Sequence, residues 1–468
     1  MGGNEMKRKI LAALLASAMV ISLAGCGGSS GSASSGSSDS GAAADSSAAA
    51  DSGSSDTAAA DSGSSDAGSG GHTLTLAAWD ASFNIPAMQA AADDYKANVD
   101  PEFELVIAEQ SQSSDIENQI TLAGSAGDYS ELWDIVLFQD HWFQRYVSDY
   151  PDVFVPVDDA DVDWSDFSQE KLSFSTVNGT HYGFPVDNGT VIFAYRVDIL
   201  EQCGYTIDDL TGISWDEFIE IGEKVYAETG KYLLSMDGDG NDLVYMMLQA
   251  EGQSQFKDGA PNIVNNPDLV EIVNLIVEMA QKNVLYLAND WSDYTDQTIV
   301  GDMVAGVMNG NWIIPTIQQV SENSGKWEIT SLPTLKGGEG YASNGGSSLY
   351  ITSNCENPEL AKSFLAYTFG GSTVTYDAAL KNGGVITTCI SAGESDVYNE
   401  GVAYFNDTPI YAQIVEMGAH VPIVEQSDYH YTCRQYVAAA IINILQNGAD
   451  TTAALQEAED QLNFEMGN

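Results

Sequence analysis

Downstream of His72 the apolar positions switch between two periods. The stretches "TLTLAAW" (73–79), "EFELVIAE" (102–109) and "LWDIVLF" (132–138) are dense apolar runs of strand length, whereas a helix is predicted from Pro86 to about Ala97 and a short one from Trp142. Strand, helix, strand, helix implies a parallel sheet covered on both faces. The segment "HYGFPVDNGTVIFAYRVDIL" (181–200) starts extended, breaks at Pro185 and Gly189 and resumes as a β-rich run, which is the pattern of a crossing between two lobes. Helices dominate beyond it. "SWDEFIEIGEKVYAETG" carries Ser214 and Glu217 as a capping box and Gly230 as its stop, and "NPDLVEIVNLIVEMAQKN" has helical apolar spacing from Leu269 to Met279. "NPELAKSFLAYTFGG" repeats the same opening signal at 357, and further helices are expected at about 433–447 and 451–465.

The N-terminal pattern is different. Lys7, Arg8 and Lys9 precede an apolar run from Ile10 to Leu23 that is too short to span a bilayer comfortably. This predicts a signal peptide over residues 1–25, with Met6 as the expected start. Its end, Leu23-Ala24-Gly25-Cys26, resembles the bacterial lipobox, in which the cysteine is lipidated and becomes the first mature residue. An uncleaved anchor or an ordinary secretory signal is the competing explanation. From Gly27 to Gly71 the chain uses only Gly, Ser, Ala, Asp and one Thr, and "AAADSGSSD" occurs at 48–56 and again at 58–66. Such side chains bury too little area to offset backbone ordering, so residues 26–71 read as a lipidated Cys and a disordered tether reaching roughly 35–40 Å. The "GGSSG" within it has neither the strand nor the helix that a nucleophile elbow requires.

Composition narrows the partners. The formal net charge of −52 disfavours nucleic acid and anionic membrane surfaces, leaving the lipid as the expected membrane contact. Beyond the signal peptide only Arg145, Arg196 and Arg434 offer bidentate recognition of carboxylate or phosphate, so an anionic ligand is disfavoured. Cys203, Cys355, Cys389 and Cys433 lack zinc-ligand spacing, and whether any two form a disulfide stays open. "MDGDGND" (236–242) has Asp237, Asp239 and Asn241 in the first, third and fifth places of a calcium loop. It fails at the sixth, Asp242, and the twelfth, Leu248. No metal and no cofactor are expected.

The lipobox, "LWDIVLFQDHWFQRYV", "HYGFPVDNGTVIFAYRVDILEQCGY", "SWDEFIEIGEKV", "DMVAGVMNGNW", "ITSLPTLKGGEGYASNGGSSLYIT" and "NPELAKSFLAYTF", in this order, resemble the extracellular solute-binding proteins of ABC importers, in particular the carbohydrate-binding group that includes maltose-binding protein. The resemblance spans nearly the whole folded region. It departs at "FAYR" (193–196), where the family usually has Asn and Lys after the Tyr. It implies an α/β, two-lobe periplasmic-binding-protein-like fold (type II), each lobe a mainly parallel sheet flanked by helices, with the ligand in the cleft between lobes. The expected N-terminal lobe is 72–186 plus about 332–385, and the C-terminal lobe 187–331 plus about 386–468. It also implies a monomeric, non-enzymatic receptor that passes its ligand to ABC permease subunits at the outer face of the cell membrane.

A sugar site stacks aromatic rings on apolar C–H faces and points carboxylates or amides at hydroxyls. Trp312 in "MNGNW" is the leading candidate, because family members often place a stacking Trp after such a turn; core packing is its competing role. Asp187 and Asn188 are polar where the crossing would otherwise stay apolar; capping of the hinge is their competing role. Trp79 and Asp80 sit at the carboxyl end of the first strand, and Asp140 and Trp142 follow the third, where open α/β sheets bind ligands; Trp79 or Asp80 could equally cap the following helix. Asn241 and Asp242 are candidates from the second lobe, and Asn344, Gly345 and Gly346 candidates for backbone contacts. Two other functions fit part of this pattern. A surface glycoside hydrolase needs two carboxylates about 5–10 Å apart, and a polyamine receptor would suit the acidic surplus.

Overall fold

A computed structural model describes residues 71–237 and 241–467; the signal peptide, Cys26 and all of the tether but Gly71 lie outside the described residues. The strands that build the two main sheets follow in chain order as β1 (Thr73–Trp79), β2 (Glu104–Gln110), β3 (Ile135–Gln139), β4 (Gly183–Pro185), β5 (Val191–Arg196), β6 (Leu234–Met236), β7 (Leu285–Leu287), β8 (Gly306–Gly310), β9 (Trp327–Thr330) and β10 (Ser347–Ile351). The first sheet has the order β2-β1-β3-β10-β4, with β1 parallel to β2 and β3, and β10 antiparallel to β3 and β4. In the second, β5 runs antiparallel between β8 and β9, and the parallel pair β7-β6 joins through a parallel bridge between Tyr232 and Val304.

Each sheet is thus mainly parallel with one reversed strand, β10 in the first and β5 in the second. The reversal has a geometric cause. The other strands carry their C-terminal ends toward the cleft, so a chain arriving from the opposite lobe must enter its new sheet at the cleft edge and run the other way. Both reversed strands are entered directly from a crossing.

The helices used below are α1 (Asn84–Asn98), α2 (Ser113–Ala126), α3 (Asp140–Asp149), α4 (Trp215–Thr229), α5 (Asn241–Ala250), α6 (Pro267–Gln281), α7 (Pro358–Thr368), α8 (Thr373–Gly383), α9 (His430–Asn447) and α10 (Thr451–Glu465). Their ends follow the local signals. Ser214 and Glu217 form the capping box of α4 and Gly230 ends it at φ 74°. The Asn266 and Asn357 side chains accept from the first free amides of α6 and α7, each with Pro in its first turn. The third helix begins at Asp140 rather than Trp142.

Side-chain alternation divides each sheet between two cores. Leu74, Leu76 and Ala78 of β1 pack with α1, α7 and α8, whereas Ala77 packs with α2 and α3. Val191, Phe193 and Tyr195 of β5 face α4, α5, α6, α9 and α10, and Ile192 and Ala194 face the layer containing Ile410 and Ile414. Each such large apolar side chain contributes about 1.5–3 kcal/mol on burial.

Three crossings are knitted together at the hinge. Thr190 and Ser343 form an antiparallel bridge, flanked by Val191 N–H to Ala342 O at 2.8 Å and Asn344 N–H to Gly189 O at 2.9 Å. The third crossing joins them where Asn188 N–H donates to Ile386 O at 3.1 Å. Leu332 and Ala342 pack in the second lobe's core, because 332–340 folds back on itself before returning; we place the return crossing at 343–346, later than the boundary near 332 expected from sequence.

Candidate ligand-binding site

The C-terminal ends of the strands and the crossings enclose a cavity of about 590 Å³, within the roughly 300–1,000 Å³ usual for small-molecule sites. The first lobe contributes Trp79, Asp80, Phe83, Asn84, Ser111, Gln112, Ser113 and Gln139; the second contributes Asp242, Trp291, Trp312 and Tyr431; the crossings supply Asp187 and Asn344–Ser347.

Trp79 ends β1, half-buried between the two cores of the first lobe. Asp80 follows at φ 64°, and its Oδ1 accepts from the Ser82 amide (3.0 Å), the Ser82 hydroxyl (2.9 Å) and the Phe83 amide (3.1 Å). That carboxylate holds the turn into α1 as well as lining the cavity. Opposite, the Trp312 indole N–H donates to Asn344 O at 2.8 Å, which fixes the ring, and Trp291 lies 5.8 Å from it at the exposed edge. Asp242 pairs with Arg434, and its Oδ2 accepts from Asn344 Nδ2 at 3.1 Å.

Beneath the floor lies a buried charge cluster. Lys171, with no exposed side-chain surface, sits 3.1 Å from Asp140 and donates to Gly345 O at 2.8 Å. Asp140 also accepts from the Ser348 hydroxyl at 2.7 Å. Asp187, which accepts the Ser347 amide at 2.8 Å, is pushed up to about 7 by burial, with the Lys171 ammonium pulling the other way and Asp140 adding to the rise. Gly346 is required here. At φ 94° a Cβ would lie 2.3 Å from Lys171 Nζ.

Eight of the residues singled out from sequence line the cavity: Trp79, Asp80, Asp187, Asp242, Trp312, Asn344, Gly345 and Gly346. Asp140 lies below the floor in the Lys171 pair, and Asn188 faces the hinge, where a Cβ on Gly418 would meet its amide nitrogen at 2.5 Å. Trp142 stacks on Tyr431 at 4.3 Å and 30°, so it backs a wall residue rather than forming the wall. Asn241 starts α5, and its side chain lies outside the described residues. Beside this stack, His141 and His430 meet across the lobes with centroids 4.6 Å apart, and His141 Nε2 lies 3.1 Å from the Tyr245 hydroxyl. Burial, then His430, Arg434 and Lys171, hold His141 well below the histidine range, and burial takes His430 to about 3.

Sequence reading missed Tyr431, Trp291, Phe83 and Asn84. Asn84 is 4% exposed and its side-chain Oδ1 has no partner. A buried unpaired acceptor on a cavity wall is the arrangement a ligand donor would satisfy. Among the described residues no group of His, Cys, Asp and Glu is arranged to hold a metal ion, and no helix is long and apolar enough to cross a membrane.

The chain matches the family model for bacterial extracellular solute-binding proteins over residues 90–406. It is 29% identical over 394 residues to the lactose-binding protein of Rhizobium radiobacter, covering 83% of this chain and 92% of that one. An arabinooligosaccharide-binding protein of Bacillus subtilis (strain 168) is 26% identical over 210 residues, 44% of this chain and 48% of the relative. Among solved structures, an extracellular solute-binding protein of family 1 superposes with a TM-score of 0.70 at 19% identity, covering 84% of this chain and all but 1% of its own (99%). The ABC-transporter-associated binding protein of B. animalis subsp. lactis Bl-04, in complex with β-1,6-galactobiose, gives 0.67 at 18% identity, covering 83% and 96%. At those identities the structures establish the shared two-lobe α/β fold. With the family model spanning well over half of its length, the chain belongs to the bacterial extracellular solute-binding protein family.

Proposed function

We propose that this protein captures a saccharide of two or more rings in the cleft between its lobes and hands it unchanged to the permease of an ABC importer, while Cys26 and the tether hold it to the outer face of the membrane. The observation that carries the reading is the cavity wall. Trp79, Trp291, Trp312 and Tyr431 offer ring faces from both lobes, and Asn84, Asp187 and Asn344 offer the polar edges that hydroxyls need. The similarity to a lactose-binding protein over 83% of the chain supports the same ligand class.

Titration calorimetry against a saccharide panel tests this. The expected result is saturable binding with no product after long incubation, weakened by about 1–3 kcal/mol in Trp312→Ala. Reducing-end release by the purified protein, abolished by one carboxylate substitution, would instead identify a glycoside hydrolase. For the anchor, Cys26→Ser should release the protein into the medium; retention in the membrane fraction would reject lipidation.

A further inference from the structure

The donors and acceptors on the cavity floor are unevenly committed. Donors nearest the crossings are used within the protein: the Trp312 indole N–H goes to Asn344 O, Asn344 Nδ2 to Asp242 and Asn309, and the Ser347 amide to Asp187. Lys171 lies beneath the floor against Asp140 and Gly345 O, and Arg434 pairs with Asp242, so both nearby cations are already matched by protein groups. No Lys, Arg or His is among the described residues of the cavity wall. The undescribed Gly238, Asp239 and Gly240 carry no cationic side chain either.

Acceptors are in surplus. Asp187, 2% exposed, lines the cavity, Asn84 Oδ1 is buried without a partner, and Asp80 adds an exposed carboxylate, while the Asp242 charge is already met by Arg434. Ser111, Gln112 and Trp291 can still donate to a ligand from the wall, but every charged group there is a carboxylate, so a ligand that brings donors is favoured over one that brings negative charge. Hydroxyls and ammonium groups do so; a carboxylate, sulfate or phosphate brings only acceptors and would be desolvated against like charge, a cost that selects against the wrong ligand rather than for the right one.

Resting on the saccharide reading, we infer that this cleft accepts neutral and amino-bearing saccharides and refuses those carrying an acidic group. Selection by charge is then built into the floor, whichever ring the aromatic walls prefer.

The test is calorimetry on the full chain at pH 8 with three matched forms of each panel disaccharide: neutral, with a 6-carboxylate, and with a 2-amino group. The neutral and amino forms should bind within about tenfold of each other, and the carboxylate form about 100-fold more weakly, with Asp187→Asn narrowing that gap. A carboxylate form that binds as tightly as its neutral counterpart overturns this inference and leaves the saccharide reading standing. Failure of all three forms across the panel overturns the saccharide reading, and the inference with it. Asp80→Asn, at an exposed wall position, provides a second, independent reading of the same gap.

Discussion

Asp187 sits where two demands conflict. A hydroxyl acceptor works best ionised, yet burial beside the crossings pushes its carboxyl up to about 7 from an ordinary value of 3.8. The native state therefore keeps a proton that the unfolded chain loses at lower pH, and stability falls as pH rises from about 4 to about 7. Asp187→Asn keeps an acceptor for the Ser347 amide but has no charge to bury. Its melting temperature should match the parent near pH 4 and exceed it by a margin that grows to pH 8, even as saccharide binding weakens. A difference that stays constant across that range would mean that Asp187 does not titrate this way. The sequence exposed Asp187 because a polar residue interrupts an apolar crossing, and exposed Trp79 and Asp80 because strand ends face clefts in α/β sheets. Tyr431 and Trp291 gave no such signal. Tyr431 opens a helix far along the chain from the β3 end it faces, and its stack on Trp142 joins residues that no local pattern relates.

Among the elements, the crossings carry most of the constraint. Gly346 and Gly384 both have positive φ, 94° and 79°, but a Cβ on Gly384 would meet nothing within 4 Å, whereas one on Gly346 would drive into Lys171 and lie 2.9 Å from Asp140 Oδ2. Gly384→Ala should therefore cost only left-handed strain, about 1–2 kcal/mol. Gly346→Ala should cost that strain and also part of a buried ion pair, about 3–5 kcal/mol when such a pair is broken. Denaturant midpoints at constant slope would separate them; equal losses would show that Lys171 can retreat freely. Elements with strong end signals were readable from sequence, as α4, α6 and α7 show with their caps. The strands β6 and β7 were not, because three residues each carry too little periodicity, and their place is set by pairing with each other in register from Leu234–Leu285 to Met236–Leu287. Nor does sequence show that 332–340 folds back before the chain returns, since that depends on Leu332 finding the second lobe's core.

For the whole molecule, three crossings and a cavity with walls from both lobes make lobe closure the natural response to ligand binding. Contacts on or behind the cavity wall also bridge the lobes: Trp142 behind the wall residue Tyr431, His141 beside His430, and Gln249 Nε2 donating to Glu170 at 3.2 Å. They contribute to the closed state whether or not a ligand is present, so they bias the open–closed equilibrium, while the ligand adds contacts to both walls and shifts it further. Small-angle scattering should therefore show a smaller radius of gyration at saturating saccharide than without it. Trp142 backs the wall without lining the cavity, so Trp142→Ala should reach the same closed radius but require about tenfold more ligand to do so, because each binding event must now both supply the closure energy that the stack provided and order the Tyr431 ring that it held. A radius that does not change at saturation would reject closure. A parent and variant that close at the same ligand concentration would show that the Trp142–Tyr431 stack contributes nothing to the equilibrium.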